Sequence, residues 1–148
     1  GRLKRVKEYL ADDTFCFTYG DGVGNVDVTA ALRLHKQTGK RATLTGVQPP
    51  VRFGILDTEG NRVVQFQEKP IGEGGWINAG FFILEPSVID LIGGDSEVWE
   101  RRPLETIARL NELSVYRHHG FWHPMDTLRD RALLEEYWAS GKAPWKIW

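Results

Sequence analysis

The chain has 148 residues, 41% of them hydrophobic and 26% charged, which is typical of one globular domain with its own core. Its 19 basic and 20 acidic side chains give a net charge of −1, so the chain as a whole lacks the positive surface of a nucleic-acid-binding protein. No run approaches the roughly 18 apolar residues of a membrane-spanning helix, and the N-terminus lacks a signal-peptide pattern. We therefore expect a cytoplasmic protein with neither a nucleic acid nor a membrane as partner.

Few residue types are available for covalent or metal chemistry. The only cysteine, Cys16, excludes an intramolecular disulfide, and its apolar neighbours predict a buried, inert thiol. The histidines at 118, 119 and 123 have neither helical i, i+4 spacing nor a cysteine partner, which argues against a zinc site. Four tryptophans are expected to pack on the core or on another subunit: Trp99, Trp138, Trp145 and Trp148.

The first third of the chain has an α/β pattern. Apolar spacing predicts a short helix over 3–10, and a buried strand follows over 15–19. A Gly-Asp-Gly loop at 20–22 separates this strand from a helix over 28–37, which Gly39 ends. A β-branched strand at 42–47 comes next, so the helix would connect two parallel strands.

The rest of the chain predicts a hairpin followed by alternating elements. Two short runs at 53–57 and 62–67 flank a turn-rich linker, as in a β-hairpin. Further strands are predicted at 78–84 and 113–117, with helices at 86–91, 103–110 and 127–139. We interpret residues 1–148 as one α/β domain with a mixed sheet and a small hairpin region.

Two aspartates are candidate ligands for Mg²⁺, a cation that prefers one or two carboxylates together with substrate phosphates. Asp21 lies in the loop after the first strand, where ligands bind in open α/β sheets. The alternative is an ordinary Asp-Gly turn. Asp126 is the candidate second carboxylate, because Thr127 and Asp130 have the spacing of a capping box and would leave Asp126 free. Alternatively, Asp126 itself caps the last helix.

Two further segments could bind a sugar phosphate. Glu68 could accept hydrogen bonds from sugar hydroxyls, and Lys69 could meet a phosphate as a point charge. A solvated charge pair at a strand end is the alternative. The segment from Asn78 to Gly80 could be a hydrogen-bonding loop whose glycine lets a ligand approach closely, or a simple turn.

An ordered set of motifs resembles the glucose-1-phosphate cytidylyltransferase family, within the sugar-phosphate nucleotidyltransferase superfamily. The similarity spans essentially the whole chain and includes the Gly-Lys-Ala-Pro-Trp-Lys ending at 141–146. The motifs are Tyr19-Gly20-Asp21-Gly22, Arg52-Phe53-Gly54, Phe66-Gln67-Glu68-Lys69-Pro70, Asn78-Ala79-Gly80-Phe81-Phe82 and the stretch 120–130. The resemblance implies a partial Rossmann-like nucleotidyltransferase fold, with a mixed, mostly parallel sheet flanked by helices.

The family resemblance also implies an activity and roles for residues. Members transfer a cytidylyl group from CTP to α-D-glucose 1-phosphate, which gives pyrophosphate and CDP-glucose, a precursor of dideoxysugars in bacterial surface polysaccharides such as O-antigen. By this resemblance, Asp21 and Asp126 would hold Mg²⁺ and Lys69 would bind the phosphate of the sugar. The sugar pocket would be formed by Gly54, Glu68, Asn78, Gly80 and Trp122. The family forms homo-oligomers, which the tryptophan-rich tail suits.

The sequence departs from this family at one point. Complete members begin with a Gly-rich loop that carries an arginine and, shortly after it, a Lys-Pro pair; these cradle the nucleotide triphosphate, and no such loop with its following pair occurs here. We therefore expect the chain to be the C-terminal, sugar-phosphate-binding half of a transferase, with an unpaired sheet edge and no activity by itself. The alternatives are a sugar-phosphate-binding or assembly module that has lost catalysis, and half of a transferase for another nucleotide or sugar.

Overall fold

A computed structural model of the chain describes residues 1–10, 12–48, 55–67 and 75–148. The described helices are α1 (Arg2–Arg5), α2 (Val28–Thr38), α3 (Arg102–Arg109) and α4 (Leu128–Ala139). The strands are β1 (Phe15–Thr18), β2 (Gly22–Gly24), β3 (Ala42–Val47), β4 (Ile55–Glu59), β5 (Arg62–Gln67), β6 (Ile77–Leu84), β7 (Leu113–Arg117) and β8 (Trp122–Pro124). Within these described ranges, no helix has the length and apolar character needed to cross a membrane.

The central sheet has four strands in the order β1-β6-β3-β7. Strand β6 pairs antiparallel with both β1 and β3, whereas β3 and β7 pair in parallel. Strands β1, β3 and β7 consequently point the same way, which confirms a mixed sheet with mostly parallel strand directions. Helix α2 connects β1 to β3 as expected, although β6 lies between the two strands.

Local sequence patterns predicted the positions of most helices and strands. The predicted strands at 42–47 and 113–117 are confirmed, and helix α2 ends at Gly39, whose φ of 60° is left-handed. The predicted hairpin is formed by β4 and β5. Two helix predictions were partly wrong, because only Arg2–Arg5 of the first segment is α-helical and Pro86–Leu91 forms a 3₁₀ helix. A short segment forms few hydrogen bonds against the cost of initiating an α-helix, which is consistent with the single α-helical turn at Arg2–Arg5.

The core lies on one face of the sheet, between β6 and the segments that follow it. Its buried members are Ala42, Phe82, Leu84, Val88, Ile89, Ile92, Trp99 and Ile107. Phe15 and Phe17 of β1 pack against this core. Of the other tryptophans expected to pack, Trp145 lies against Phe121 and Tyr137. Trp138 and Trp148 are exposed, and no observation tests whether they contact another subunit.

The prediction that Cys16 is buried was wrong. Residues alternate between the two faces of a strand, so Cys16 lies on the face opposite Phe15 and Phe17. On that face Cys16 pairs with Ile83 of β6, which pairs in turn with Thr43 of β3. Helix α2 lies over the sheet at Thr43, where His35 of the helix forms a hydrogen bond of 2.8 Å with the Thr43 hydroxyl. Thr43 is two strands away from Cys16. The thiol is therefore exposed.

A two-stranded ladder between β2 and β8 was not predicted from the sequence. The two strands pair antiparallel, with Gly22 opposite Pro124, Val23 opposite His123 and Gly24 opposite Trp122. Three-residue strands that contain Gly and Pro lack the alternation that identifies longer strands. The ladder joins the loop after β1 to the segment that precedes α4.

The predicted capping box at the start of α4 is confirmed. The Thr127 hydroxyl accepts a hydrogen bond from the Asp130 backbone N–H, and the Asp130 carboxylate accepts one from the Thr127 backbone N–H at 3.0 Å. The hydroxyl also donates to the Asp130 carboxylate at 2.7 Å. Since Thr127 is the capping residue, Asp126 lies outside the helix, where it is exposed.

This capping box makes stability depend on pH. The Thr127 hydroxyl, and then His123, lower the pKa of Asp130 below its usual value, against the opposing effect of burial. A carboxyl group whose pKa is lower in the folded state stabilises the fold above its unfolded pKa, and loses this effect as the pH falls through the folded pKa. We predict that the advantage of wild type over Asp130→Asn in free energy of unfolding is largest near about pH 5 and shrinks toward about pH 3.

Urea denaturation of both proteins at each pH measures this difference. Thr127→Val removes the main hydrogen-bonding hydroxyl while keeping the side-chain shape, so its stability should fall less steeply with decreasing pH than that of wild type. A wild-type advantage that is constant over this pH range would show that Asp130 has no shifted pKa.

Candidate functional site

The candidate site lies at one edge of the central sheet. Strands β1, β3 and β7 end at this edge, and the antiparallel strand β6 begins there. Register places Gly46, near the end of β3, between Asn78 of β6 and Arg117 of β7. Tyr19, Gly20 and Asp21 follow the end of β1 at the same edge. This is the edge at which open α/β sheets bind their ligands.

The β2–β8 ladder brings Asp21 and Asp126 to one end of the same structure. The Met125 backbone N–H donates to the Asp21 carbonyl at 2.7 Å, which extends the ladder by one step beyond Gly22 and Pro124. Asp126 follows Met125 directly, and both aspartates are exposed. The ladder thus places two aspartates that are distant in sequence at the same end of a pair of strands. That Asp21 and Asp126 share a metal ion stays a prediction.

Asp21 and Asp126 suit a cation that prefers oxygen ligands and takes some of them from a bound substrate. In the described parts of the chain, no group of three or more His, Cys, Asp or Glu side chains could hold a metal ion. Two carboxylates are nevertheless the protein contribution that Mg²⁺ commonly receives when phosphate oxygens complete its shell. Asp21 and Asp126 could provide this contribution only together with a bound phosphate.

Trp122 of β8 is anchored to the beginning of β6. Its indole Nε1–H donates to the Ala79 carbonyl at 3.0 Å, and the residue is half-buried. Gly22 packs in the same place, because a Cβ there would lie 3.3 Å from the Ala79 carbonyl oxygen and 3.4 Å from the Trp122 Nε1 atom. The structure therefore brings together the Asp21 loop, Trp122 and the segment from Asn78 to Gly80.

Asn78 and Gly80 lie within strand β6, not in the loop or turn that was predicted, and they pack against Tyr19. The Asn78 Oδ1 atom accepts from the Gly80 N–H at 2.9 Å, and its Nδ2 donates to the Tyr19 hydroxyl at 3.3 Å. Gly80 has a φ of 80°, and a Cβ there would lie 2.6 Å from the Tyr19 ring. The glycine is thus required by its backbone and by Tyr19, in addition to any role in binding a ligand.

Tyr19 belongs to the candidate site, although the sequence analysis gave it no role beyond its place at the end of a buried strand and in the motif Tyr19-Gly20-Asp21-Gly22. Burial, and then the neighbouring Glu100 carboxylate, raise the pKa of the Tyr19 phenol well above its ordinary range. The phenol oxygen accepts the hydrogen bond from Asn78 Nδ2, and its O–H can donate to the Glu100 carboxylate. Its position directly before Gly20-Asp21-Gly22 was the available sequence signal.

Three predicted site residues cannot be placed in this way. Gly54, Glu68 and Lys69 lie outside the described residues. Their proposed contacts with sugar and phosphate therefore stay predictions from the sequence.

Substituting Gly80 should cost more stability than a left-handed backbone alone explains. We predict that Gly80→Ala lowers the free energy of unfolding by about 2–4 kcal/mol, since it combines backbone strain with a clash against Tyr19. Gly39→Ala is the matched control, because Gly39 has a φ of 60° and open space around its Cβ position. It should cost only about 1–2 kcal/mol. Equal losses in urea denaturation would show that Tyr19 relaxes without cost.

Comparison with known proteins identifies the family. The nucleotidyl transferase family model matches residues 3–126. Glucose-1-phosphate cytidylyltransferase of Salmonella typhi is 58% identical over 149 aligned positions, which cover all of this chain and 58% of that protein. The Bacillus subtilis protein named "Probable glucose-1-phosphate cytidylyltransferase" is 38% identical over the same coverage.

Solved structures show the same fold. UDP-glucose pyrophosphorylase from Acinetobacter superposes with a TM-score of 0.64 over 96% of this chain and 57% of its own, at 14% identity. This chain spans 58% of the length of the Salmonella relative. The match over residues 3–126 shows that the chain belongs to the nucleotidyl transferase family.

Proposed function

We propose that this chain is the sugar-phosphate-binding part of a glucose-1-phosphate cytidylyltransferase, which converts CTP and α-D-glucose 1-phosphate to CDP-glucose and pyrophosphate. The observation that carries the proposal is the 58% identity to the Salmonella typhi enzyme along the entire chain. The position of Asp21 and Asp126 at one end of the β2–β8 ladder agrees with it.

The proposed reaction demands positioning more than acid–base chemistry. A phosphate oxygen of glucose 1-phosphate forms a bond to the α-phosphorus of CTP, and the bond from that phosphorus to the pyrophosphate oxygen breaks. The attacking phosphate is already a nucleophile, so the protein must align the two phosphates and neutralise their charge. Mg²⁺, held by Asp21 and Asp126, would supply positive charge for this purpose.

The remaining proposed roles concern the sugar phosphate. Lys69 meets the phosphate of the sugar, since an ammonium is a compact point charge. Trp122 offers an indole whose orientation is set by its hydrogen bond to Ala79, and Asn78 presents a carboxamide held by Gly80 and Tyr19. Gly54, Glu68 and Gly80 complete the proposed sugar pocket.

We propose that the 148-residue chain binds the sugar phosphate but does not turn over CTP alone. The Gly-rich loop with its arginine and Lys-Pro pair is not present in the sequence, and the chain spans 58% of its Salmonella relative. A further, N-terminal half would supply nucleotide binding, and homo-oligomers of the complete protein would make CDP-glucose for O-antigen. The same gap favours a second candidate, a sugar-phosphate-binding module without catalysis.

Calorimetric titration of the chain with glucose 1-phosphate, with and without Mn²⁺ as a stand-in for Mg²⁺, tests the proposal. We predict that Mn²⁺ strengthens binding and that Asp21→Asn and Asp126→Asn each reduce the Mn²⁺-dependent affinity at least about tenfold. Asp13→Asn is the matched control, because Asp13 is an exposed carboxylate near the opposite end of β1. It should bind like wild type.

Three results would contradict parts of the proposal. Equal affinity for glucose and glucose 1-phosphate would exclude phosphate recognition, and Mn²⁺-dependent binding that survives both aspartate substitutions would exclude the proposed metal site. Formation of CDP-glucose by the pure 148-residue chain would show that the proposed division into halves is wrong.

A further inference from the structure

Strand β8 presents different residues on its two sides. Because side chains alternate along a strand, Trp122 and Pro124 lie on one side, and His123 lies on the other side together with the preceding Phe121. The first side meets β6 through the hydrogen bond from Trp122 to the Ala79 carbonyl. On the second side, the rings of Phe121 and His123 stack with centroids 6.5 Å apart. Strand β8 therefore contacts the candidate site on one side, and the rings of Phe121 and His123 lie on its other side.

Phe121 is enclosed by the end of α4 and the tail that follows it. Trp145 stacks on Phe121 at 5.6 Å between ring centroids, and Tyr137 meets Phe121 edge to face at 6.1 Å. Tyr137 and Trp145 also contact each other, at 6.4 Å. These distances and angles lie in the range that aromatic pairs prefer. The C-terminal tail therefore packs against the residue that directly precedes β8.

The backbone of Phe121 is fixed as well. Its carbonyl accepts hydrogen bonds from the Asn25 backbone N–H at 3.1 Å and from the His118 ring Nε2 at 3.1 Å. Asn25 follows β2 and His118 follows β7. Side-chain and backbone contacts thus restrain the same residue from separate elements.

His123, the middle residue of β8, joins this strand to helix α4. Its Nε2 lies 3.1 Å from Asp130 Oδ1, and Asp130 is the carboxylate of the Thr127 capping box. The segment from Pro124 to Asp126 is therefore held between His123 before it and Thr127 after it. Within this segment, the Met125 N–H donates to the Asp21 carbonyl at 2.7 Å.

We propose that a cluster of side chains, here named the β8 clamp, positions Trp122 and Asp126 beside Asp21. The clamp consists of Phe121, His123, Asp130, Tyr137 and Trp145. Trp145 and His123 are thus positioning residues, and their role in ligand binding rests on the proposed sugar-phosphate function. The tail tryptophans differ in this respect. Trp145 is half-buried against Phe121, whereas Trp148 is 81% exposed.

Site-resolved hydrogen exchange on the 148-residue chain tests the clamp without any ligand. In Trp145→Ala, we expect the Met125 amide and the Trp122 indole N–H to exchange at least about tenfold faster, because local opening of β8 becomes easier. The Phe82 amide in the core strand β6 should keep its wild-type rate. Trp145→Phe should restore protection at both positions, since it retains an aromatic ring over Phe121, and Trp148→Ala should behave like wild type.

A second variant tests the link to α4. His123→Phe keeps a ring beside Phe121 but removes the hydrogen bond to Asp130, so exchange at Met125 should again accelerate while Phe82 is unaffected. Unchanged protection at Met125 in both Trp145→Ala and His123→Phe would overturn the proposal. Equal acceleration at Met125 and Phe82 would also overturn it, because the clamp would then act only on global stability.

Ligand binding provides the functional readout. Trp145→Ala should reduce Mn²⁺-dependent affinity for glucose 1-phosphate at least about tenfold, and Trp145→Phe should recover it. Affinity that is unchanged in Trp145→Ala would refute the positioning role. If wild type binds no glucose 1-phosphate, the proposed function fails, and the exchange experiment still decides whether the clamp holds β8.

Discussion

The candidate site depends on one short ladder of backbone hydrogen bonds between residues 22–24 and 122–124, extended by the bond from Met125 to Asp21. Without this ladder, the loop after β1 and the segment before α4 would be separate surface features. With it, two exposed carboxylates lie at one end of a common structure. The ladder also favours glycine at position 24, because a Cβ there would approach the Phe121 carbonyl oxygen to 3.0 Å.

The polar groups beside this ladder are arranged at the edge of the central sheet. Hydrogen bonds join Tyr19, Asn78 and Gly80, so the beginning of β6 has little freedom relative to the end of β1. Tyr19 is neutral near pH 7, as a phenol is at its ordinary pKa, and the charged groups beside it are the carboxylates of Glu100 and Asp21. A cation held between such carboxylates and an anionic phosphate would offset their repulsion.

Sequence reasoning succeeded where signals are local. Helix α2 has a capping aspartate and a terminal glycine, and α4 has its capping box, so their ends could be predicted. It failed for β2 and β8, because three-residue strands are specified by their partners and not by their own pattern. Cys16 was misjudged for a related reason, since the sequence does not show which strands a helix covers.

The site itself was only partly predictable. Asp21 and Asp126 could be chosen from the position of the motif and from the capping box, and the ladder places both residues at one end of a common structure. The position of Tyr19 against Gly80, and the attachment of Trp145 to Phe121, follow from tertiary packing and could not be derived from spacing. The roles of Gly54, Glu68 and Lys69 depend on the family resemblance alone.

The most direct test of this account uses the paramagnetism of Mn²⁺. With a small amount of Mn²⁺ and excess glucose 1-phosphate, the account predicts that NMR signals of the amides at 20–22 and at 125–127 broaden together. Signals near Asp13, at the other end of β1, should stay sharp. Asp21→Asn and Asp126→Asn should each abolish this broadening at both segments. Absence of broadening in wild type, or broadening that survives either substitution, would contradict the claim that Asp21 and Asp126 share one metal-bridged phosphate site.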